Sequence, residues 1–250
     1  MQHFHPFGGL NLKEPLMKRV VIFLVYFLLP LTVTAQLSGN GTYASPWSGT
    51  LDGDAVWSGT KYINGDITVD NETLTITPGA VIIFLSESAD LIITGTGALE
   101  AVGSAGNMIT FTSDDDNDGN YGETGERWGH IWFNAPSETM PSVISYCIFE
   151  YGDVHGYTDY RGYGGAIHAN FSNLTVSDCI FRYNYGHWGG AVFVNQAKNP
   201  VIRNCHIVNN KSVHAGGGIY CWSGSSPQVI NCLIESNESL EETYVNYAGG

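Results

Sequence analysis

Short runs in which apolar and polar residues alternate occupy most of the chain after residue 60. In the second half, the apolar positions include Ile167 and Ala169 in one run and Val192 and Val194 in another. A period of two predicts β-strands, because successive side chains of a strand point to opposite faces. Gly, Pro, Asn and Asp separate the runs, as is typical of turns. The pattern predicts an all-β fold.

Two short words repeat within these runs. The first word is Gly-Gly followed by a small residue and a β-branched one. Its copies begin at Gly164, Gly189 and Gly216, which are 25 and 27 residues apart. A period of this length indicates a solenoid, in which each repeat packs on its neighbours. The chain stops on a further Gly-Gly pair inside a repeat, so we expect a fragment of a longer protein.

The second word contains a cysteine and ends on asparagine in three of its four copies. In those three copies an Asp or Asn precedes the cysteine, and both types tolerate a left-handed backbone. The apolar residue three positions before the cysteine would face the wrong side of a straight strand. We therefore predict a tight corner before each cysteine. The four cysteines are Cys147, Cys179, Cys205 and Cys232.

Whole words that recur in register favour a right-handed parallel β-helix, with about three short strands per coil and rungs roughly 4.8 Å apart. A β-sandwich also uses short alternating strands but lacks such repeats. We assign residues 61–250 to the β-helix and residues 36–60 to a cap on its N-terminal end. The earlier alternating pairs are Ile67/Val69, Leu74/Ile76, Val81/Ile83, Leu91/Ile93, Leu99/Ala101 and Ile109/Phe111.

The repeats also resemble those of a known family. Gly-Gly-Ala-[Ile/Val] alternates with Phe181-Arg-Tyr-Asn184, which is similar to the GGA[ILV] and FxxN repeats of polymorphic outer membrane proteins. The resemblance covers roughly residues 142–250, although later copies have Ile in place of Phe and Gly152 replaces one Asn. It implies an exported surface protein, commonly an adhesin, whose sorting or outer-membrane domain lies further along the chain.

The N-terminal segment has the features of an export signal. A Met-Lys-Arg start at Met17 precedes an apolar run and a small-residue cleavage site ending at Ala35. The apolar run is shorter than the roughly 20 residues of a membrane-spanning helix. We therefore predict an upstream extension over residues 1–16, a signal peptide over residues 17–35, and a secreted or cell-surface protein without a membrane span in this fragment.

Charge and cysteine content narrow the possible partners. Ten Lys and Arg against 24 Asp and Glu give a formal net charge of -14, which excludes nucleic acid as a partner. We expect a monomer.

The five cysteines are predicted to be small apolar core residues, with Cys221 also facing inward. Disulfides between adjacent rungs remain an alternative on Cα spacing.

Loops of variable length between the two words are predicted to leave from one edge of the solenoid, where repeat proteins bind partners. Outward aromatic residues next to this edge could stack on sugar rings. The alternative is that they stabilise the sheet by pairing across rungs. Glu241, Glu242 and Tyr244 also belong to this edge. The candidate binding residues are Tyr160, Arg161, His187, Trp188, Phe193, His214, Tyr220 and Trp222.

An acidic stretch resembles the first half of a calcium-binding loop. Asp114, Asp116 and Asp118 precede Gly119 in the order D-x-D-x-D-G, which brings alternate carboxylates to one cation. Position twelve of the motif is Gly125 instead of the usual Glu. Calcium is therefore a candidate cofactor, and a solvated acidic turn is the alternative.

These features favour a non-catalytic extracellular module for adhesion or for binding a polysaccharide or cell-surface glycan. A polysaccharide lyase or glycoside hydrolase of the pectin-degrading β-helix type is one alternative, and a structural spacer is another. Catalysis needs paired acids or an acid with a basic group. Arg161, near Asp153 and Asp159, is the candidate group for the enzyme alternative.

Overall fold

The computed structural model describes residues 36–134, 141–197 and 199–240. These residues form short strands and a single 3₁₀ turn at Tyr160–Gly162. The strands are β1 (Trp47–Thr50), β2 (Ala55–Trp57), β3 (Thr60–Asp70), β4 (Thr73–Ile76), β5 (Val81–Phe84), β6 (Leu91–Thr94), β7 (Ala98–Val102), β8 (Ile109–Ser113), β9 (Ile131–Asn134), β10 (Ser142–Ser145), β11 (Cys147–Glu150), β12 (Ile167–Asn170), β13 (Leu174–Ser177), β14 (Ile180–Arg182), β15 (Tyr185–Trp188), β16 (Val192–Asn195), β17 (Val201–Arg203), β18 (His206–Val208), β19 (Lys211–Ala215), β20 (Ile219–Trp222), β21 (Gln228–Ile230), β22 (Leu233–Glu235) and β23 (Glu238–Ser239).

The strands stack in parallel into the faces of a solenoid. The first face runs through β6, β9, β12, β16 and β20, and the second through β2, β4, β7, β10, β13, β17 and β21. The third face runs through β5, β8, β11, β14, β18 and β22. The long strand β3 joins the first and third faces, because its two halves pair with β5 and β6. The predicted right-handed parallel β-helix is confirmed.

A fourth strip of strands, β15, β19 and β23, lies where the sequence suggested only loops. The strands pair in parallel, so Tyr185 lies opposite Lys211, which lies opposite Glu238. The short connections between the two repeat words are therefore part of the hydrogen-bonded framework. This strip supplies the edge on which the candidate site is built.

Like residues lie over like residues along the axis. On the first face Ile167 pairs with Val192, which pairs with Ile219. On the third face the rings of Phe111, Phe149 and Phe181 stack with successive centroid distances of 4.8 Å. Burying such apolar columns between the faces removes them from water and is the main source of stability in the fold.

The predicted corners before the cysteines are confirmed. The residue before each cysteine has a positive φ, between 50° and 56° across the four copies. This left-handed residue offsets the odd spacing of three positions. Val176 and Cys179 therefore both face the core, and each is about 1% exposed. The residues with positive φ are Tyr146, Asp178, Asn204 and Asn231.

The asparagine that ends the second word builds a ladder inside the solenoid. The Asn184 side-chain amide donates to the backbone oxygen of Phe149 (3.0 Å) and to Oδ1 of Asn210 (2.9 Å). Asn210 repeats this pattern with Phe181 and Asn237. Gly152 takes the asparagine position in the copy before, and its N–H donates to Oδ1 of Asn184. Neighbouring coils thus provide hydrogen-bond partners for the buried polar groups at each other's corners.

Steric limits explain the Gly-Gly word. The first glycine of the pair has a left-handed backbone, with a φ of 70° at Gly189. The second glycine of the pair has no room for a side chain, since a Cβ atom on Gly190 would lie 2.0 Å from the backbone oxygen of Gly217 in the next coil. No side chain fits that space, so the coils approach closely only where the second residue is glycine.

Strand β5 does not show a clean alternation of buried and exposed residues. Of the pair Val81/Ile83 only Ile83 is buried, and Ile82 and Phe84 are the residues that join the main core. The alternation starts at Ala80, which is fully buried after the Pro78-Gly79 turn. Because residues 80–84 are all apolar, a period of two cannot by itself decide which set faces inward.

The segment assigned to a cap contains two different structures. Residues 36–48 hold antiparallel bridges, Ser38 with Ser48 and Thr42 with Ser45. Strand β2 already pairs with β4 in parallel and belongs to the second face.

Within the described residues, no helix is long and apolar enough to cross a membrane.

The cysteines of the second word line the corner. Cys147, Cys179 and Cys205 are buried, and each thiol donates to the backbone oxygen of the residue two positions earlier. Burial raises the pKa of the Cys179 thiol, so the neutral form is favoured. Cys221 lies opposite the buried Val194 but is itself exposed on the last described rung, which corrects the prediction that it is a core residue.

The steric argument gives a stability prediction. We expect Gly190→Ala to lower the free energy of unfolding by about 3 kcal/mol, because the methyl group collides with backbone of the next coil. Gly156→Ala is the matched control, since nothing lies within 4 Å of a Cβ there, and should change stability by less than about 0.5 kcal/mol. Urea unfolding measures both. Equal stability of the two variants would contradict the assigned stacking.

Candidate functional site

A ladder of aromatic rings follows the outer side of the first face. Trp132, His168, Phe193 and Tyr220 occupy successive rungs in register. The centroid distances along the ladder are 5.9, 5.1 and 5.8 Å. The sequence left open whether outward residues such as Phe193 and Tyr220 stack on sugar rings or pair across rungs. In the structure they pair across rungs, and His168 and Phe193 are 2% exposed and Tyr220 is 8% exposed.

A second layer of aromatic rings covers the ladder. Tyr160 lies against Trp132 at 5.3 Å, and Tyr163 stacks on Phe193 at 4.5 Å. Trp188 lies against Tyr220 at 5.1 Å. The long loop after Gly152 supplies the two tyrosines, and β15 supplies Trp188. A parallel bridge joins Tyr163 to Trp188. We call Tyr160, Tyr163 and Trp188 the outer aromatic layer.

The outer layer ends in an open aromatic pocket of about 140 Å³. Its most accessible wall is Trp222, which is 51% exposed. Trp222 follows Tyr220 by two residues and therefore projects from the same side of β20, and the two rings are nearly parallel at 6.1 Å. We call this site the aromatic pocket. It is lined by Tyr163, Trp188, Phe193, Tyr220 and Trp222.

The two predicted histidines lie together beside this pocket. The rings of His187 and His214 meet edge to face at 4.2 Å, one rung apart as expected. Nδ1 of His187 is 3.2 Å from the backbone oxygen of His155, and the His214 ring also contacts Trp188 at 4.8 Å. The pair therefore supports the wall of the pocket.

Arg161 has a different partner set from the one expected. Its guanidinium Nη2 donates to Oδ2 of Asp159 at 2.8 Å and lies over the Tyr157 ring at 4.8 Å. Hydrogen bonds from Arg161 lower the pKa of Asp159. Asp153 instead accepts from the His155 ring and lies 3.8 Å from Nε of Arg127. The structure thus keeps Arg161 beside Asp159, as expected, and pairs Asp153 with Arg127 and His155 instead.

A polar groove lies on the other side of the long loop. Two cavities of about 300 and 350 Å³ share Arg127 and Asp153. The His155 ring is stacked on Tyr185 at 4.1 Å, and Nη1 of Arg127 donates to the backbone oxygen of Glu126 at 2.6 Å. These contacts hold donors and acceptors in fixed positions. The remaining lining residues are Glu87, Gly156, Tyr157, Tyr183, Asn184, Asn209 and Lys211.

Several residues of these surfaces were not identified from the sequence. Lys211 directly follows the ladder asparagine Asn210, as Tyr185 follows Asn184. That shared repeat position was the available signal for the groove. Arg127 and Trp132 carry no such signal, because no Gly-Gly word marks the start of their coil. The candidates Glu241, Glu242 and Tyr244 fall outside the described residues.

The acidic stretch forms a compact loop after β8. Ligand oxygens of Asp114, Asp116 and Asp118 all lie within 4.8 Å of one another. Asp114 is 1% exposed, and its carboxylate accepts from the N–H groups of Asp118 and Gly119 at 3.1 Å. The carboxylates therefore converge as the motif predicts, which is a geometry that a hard cation such as calcium can use.

Glu126 closes the same loop from its far end. Its carboxylate accepts from the N–H groups of Asp115 (3.2 Å) and Glu123 (2.8 Å). Its ligand oxygen forms a second group with those of Asp115 and Asp116. Burial raises the pKa of Glu126. This residue, next to the motif's position twelve at Gly125, thus belongs to a second acidic group that shares Asp116 with the first.

Comparison with known proteins agrees with the geometry. Residues 130–237 match the family model described as "Right handed beta helix region". This part of the chain is a right-handed β-helix repeat. No curated protein and no solved structure gives a significant match to the chain. The β-helix match covers the aromatic pocket and most of the polar groove, while the narrower resemblance to polymorphic outer membrane proteins stays a prediction.

The acidic loop of the β-helix gives a prediction about calcium. If calcium binds there, adding it to chelator-treated protein should raise the melting temperature, because a ligand that binds only the folded state stabilises it. The Asp114→Asn, Asp116→Asn, Asp118→Asn triple variant should lose this response. Asp52→Asn is a control outside the loop. Identical melting curves with calcium and with chelator would leave only an acidic turn.

Proposed function

We propose that this chain is an extracellular β-helix module that binds a glycan, without catalysis, through the aromatic pocket. The observation that carries the proposal is the half-exposed Trp222 ring, which stands beside Trp188 at 6.4 Å over buried aromatic residues. Aromatic faces in water offer a large apolar contact area at a low cost in side-chain entropy. The C–H face of a sugar ring is a matching partner.

The size and openness of the pocket favour one ring of a longer chain. Its volume, about 140 Å³, is well below the roughly 300 Å³ of sites that enclose a small molecule. A ligand there would lie against the aromatic surface and extend into solvent or along the edge. A polysaccharide has this form, because its successive rings can occupy neighbouring sites.

The polar groove supplies the second half of glycan recognition. Arg127 and Asn209 bring donors, and Asp153 brings an acceptor, to one surface. Sugar hydroxyl groups both donate and accept, so mixed polar groups are needed to satisfy them. The long loop borders both surfaces, since it contributes Asp153 to the groove and Tyr163 to the aromatic pocket. One extended glycan could therefore contact both.

Charge favours a neutral glycan over an acidic one. The basic residues of the groove are already neutralised, because Arg127 lies beside Asp153 and Nζ of Lys211 lies 3.3 Å from Glu238. The formal net charge of the whole chain is -14. A polyanion would meet repulsion without a free cluster of cations to offset it. The separation of Arg161 from Asp153 also weakens the case for a lyase.

The proposal predicts a selective loss of binding. Trp222→Ala should weaken retention on an immobilised polysaccharide about tenfold, because it removes an exposed stacking surface worth about 1.4 kcal/mol. Phe171→Ala is the matched control, since Phe171 is an exposed aromatic residue directly after β12 that does not line the aromatic pocket. Affinity electrophoresis across a panel of neutral and acidic polysaccharides measures both.

Three results would contradict the proposal in different ways. Equal retention of Trp222→Ala and wild type would remove the aromatic pocket from recognition. New reducing ends or unsaturated products during incubation would favour the enzyme alternative. Absence of both retention and turnover across the panel would favour a structural spacer.

A further inference from the structure

His168 is a buried ionisable residue that contacts two walls of the aromatic pocket. Its ring lies 5.7 Å from Tyr163 and 5.1 Å from Phe193, edge to face in both cases. The residue is 2% exposed, and within the described part of the chain neither ring nitrogen has a hydrogen-bond partner. A buried polar group without a partner is rare in folded proteins and is costly.

Within the described residues, the surroundings of His168 offer neither ring nitrogen the hydrogen-bond acceptor that an imidazolium needs. Trp132 stacks on it at 5.9 Å, and its indole N–H is likewise buried without a partner. His130 meets it edge to face at 5.8 Å, but Nδ1 of His130 is already engaged by the backbone oxygen of Tyr163 at 3.0 Å. Protonating His168 would place a charge among aromatic rings and beside a second histidine.

The other ionisable groups near this cluster lie beyond its first contacts. Asp90 accepts from the backbone N–H of His130 at 2.9 Å, and Tyr160 lies on the far side of Trp132. Arg161 is exposed and paired with Asp159. On the neighbouring strand β16 the facing residue is Phe193, which carries no charge. Burial and then the proximity of His130 hold the pKa of His168 well below its ordinary value.

We propose that His168 makes the aromatic pocket sensitive to pH, so that protonation favours a conformation in which the loop carrying Tyr160 and Tyr163 has moved off the aromatic ladder. The pocket then loses one wall, and its ligand is released in mild acid. The ligand part of this inference rests on the proposed function, whereas the movement of the loop does not.

The direction of the effect follows from proton linkage. In the closed state His168 stays neutral, and in the open state water reaches the ring, which then titrates near the ordinary value of about 6.5. The open state therefore binds more protons as the pH falls below about 6.5, and closure is weakened. Between pH 7 and pH 5 one such group changes the ratio of open to closed states by about 25-fold.

The outer part of the loop has little regular structure. Residues 155–161 are mostly exposed, and their regular structure is the single turn at Tyr160–Gly162. At the end of the loop, the N–H of Gly164 donates to the backbone oxygen of Trp188 at 2.9 Å. This bond is next to Tyr163, so its exchange with solvent reports opening directly.

The first experiment measures amide hydrogen exchange of the whole chain at pH 7 and pH 5, with protection factors corrected for intrinsic rates. We expect the protection factor of the Gly164 amide to fall about 25-fold at pH 5. The Asp178 amide, which donates to Arg203 on another part of the coil, should keep its protection. Unchanged protection at Gly164, or an equal fall at both amides, would overturn the proposal.

His168→Phe is the matched variant, because the next rung already has Phe193 at the equivalent position. It should abolish the fall in protection at Gly164 while His130 and Asp90 remain. A full response in this variant would assign the effect to those residues and overturn the role of His168. If the variant does not fold, a carbon-13 titration of the wild-type imidazoles decides the question, since a His168 signal that titrates near its ordinary value while Gly164 stays protected would overturn the proposal.

The ligand is tested separately with a polysaccharide that the wild-type chain retains at pH 7. Retention should fall at pH 5 in the wild type and stay constant in His168→Phe. Equal retention at both pH values by the wild type would overturn the pH-sensitive pocket even if the glycan proposal holds. Loss of Gly164 protection without retention of any polysaccharide would support the moving loop and reject the glycan proposal.

Discussion

In-register stacking of coils is the constraint on which the rest of the structure depends. Each coil hydrogen-bonds to the next through parallel strands, so every corner must repeat in nearly the same place. Polar groups at the corners cannot reach water inside the stack. The asparagine ladder of Asn184, Asn210 and Asn237 meets this requirement, because each side-chain amide donates to a backbone oxygen of the preceding coil. Asn184 and Asn210 also donate to the next asparagine of the ladder. Stacking also requires that the coils approach closely, and Gly190 permits this because a side chain there would collide with the backbone of the next coil.

The constraint also explains why the outer surface differs along the axis. The inward positions of successive coils must stay small or apolar, whereas residues between the two words can vary in number. Where the insertion is long, after Gly152, the extra residues fold back over the first face. They cover Trp132 and Phe193 and produce a second apolar layer outside the coil. The candidate site lies at the end of this layer, where Trp222 remains half exposed.

Repetition decided how much could be predicted from the sequence. The strands of the three main faces, the corners before the cysteines and the convergence of Asp114 with Asp116 and Asp118 followed from local spacing. The burial of His168 and Phe193 did not, because alternation shows which side of a strand a residue faces but not whether a distant loop covers that side. Arg127 was missed for a related reason, since no Gly-Gly word marks the start of its coil.

The central claim is that the aromatic pocket, and not the core, is the binding surface. Titrating nitrogen-15-labelled protein with a retained oligosaccharide while following the tryptophan indole signals tests this claim most directly. The account predicts that the signals of Trp188 and Trp222 shift with a common dissociation constant while that of Trp128, which is fully buried in the core, does not move. Saturating binding that leaves Trp188 and Trp222 unmoved would contradict it.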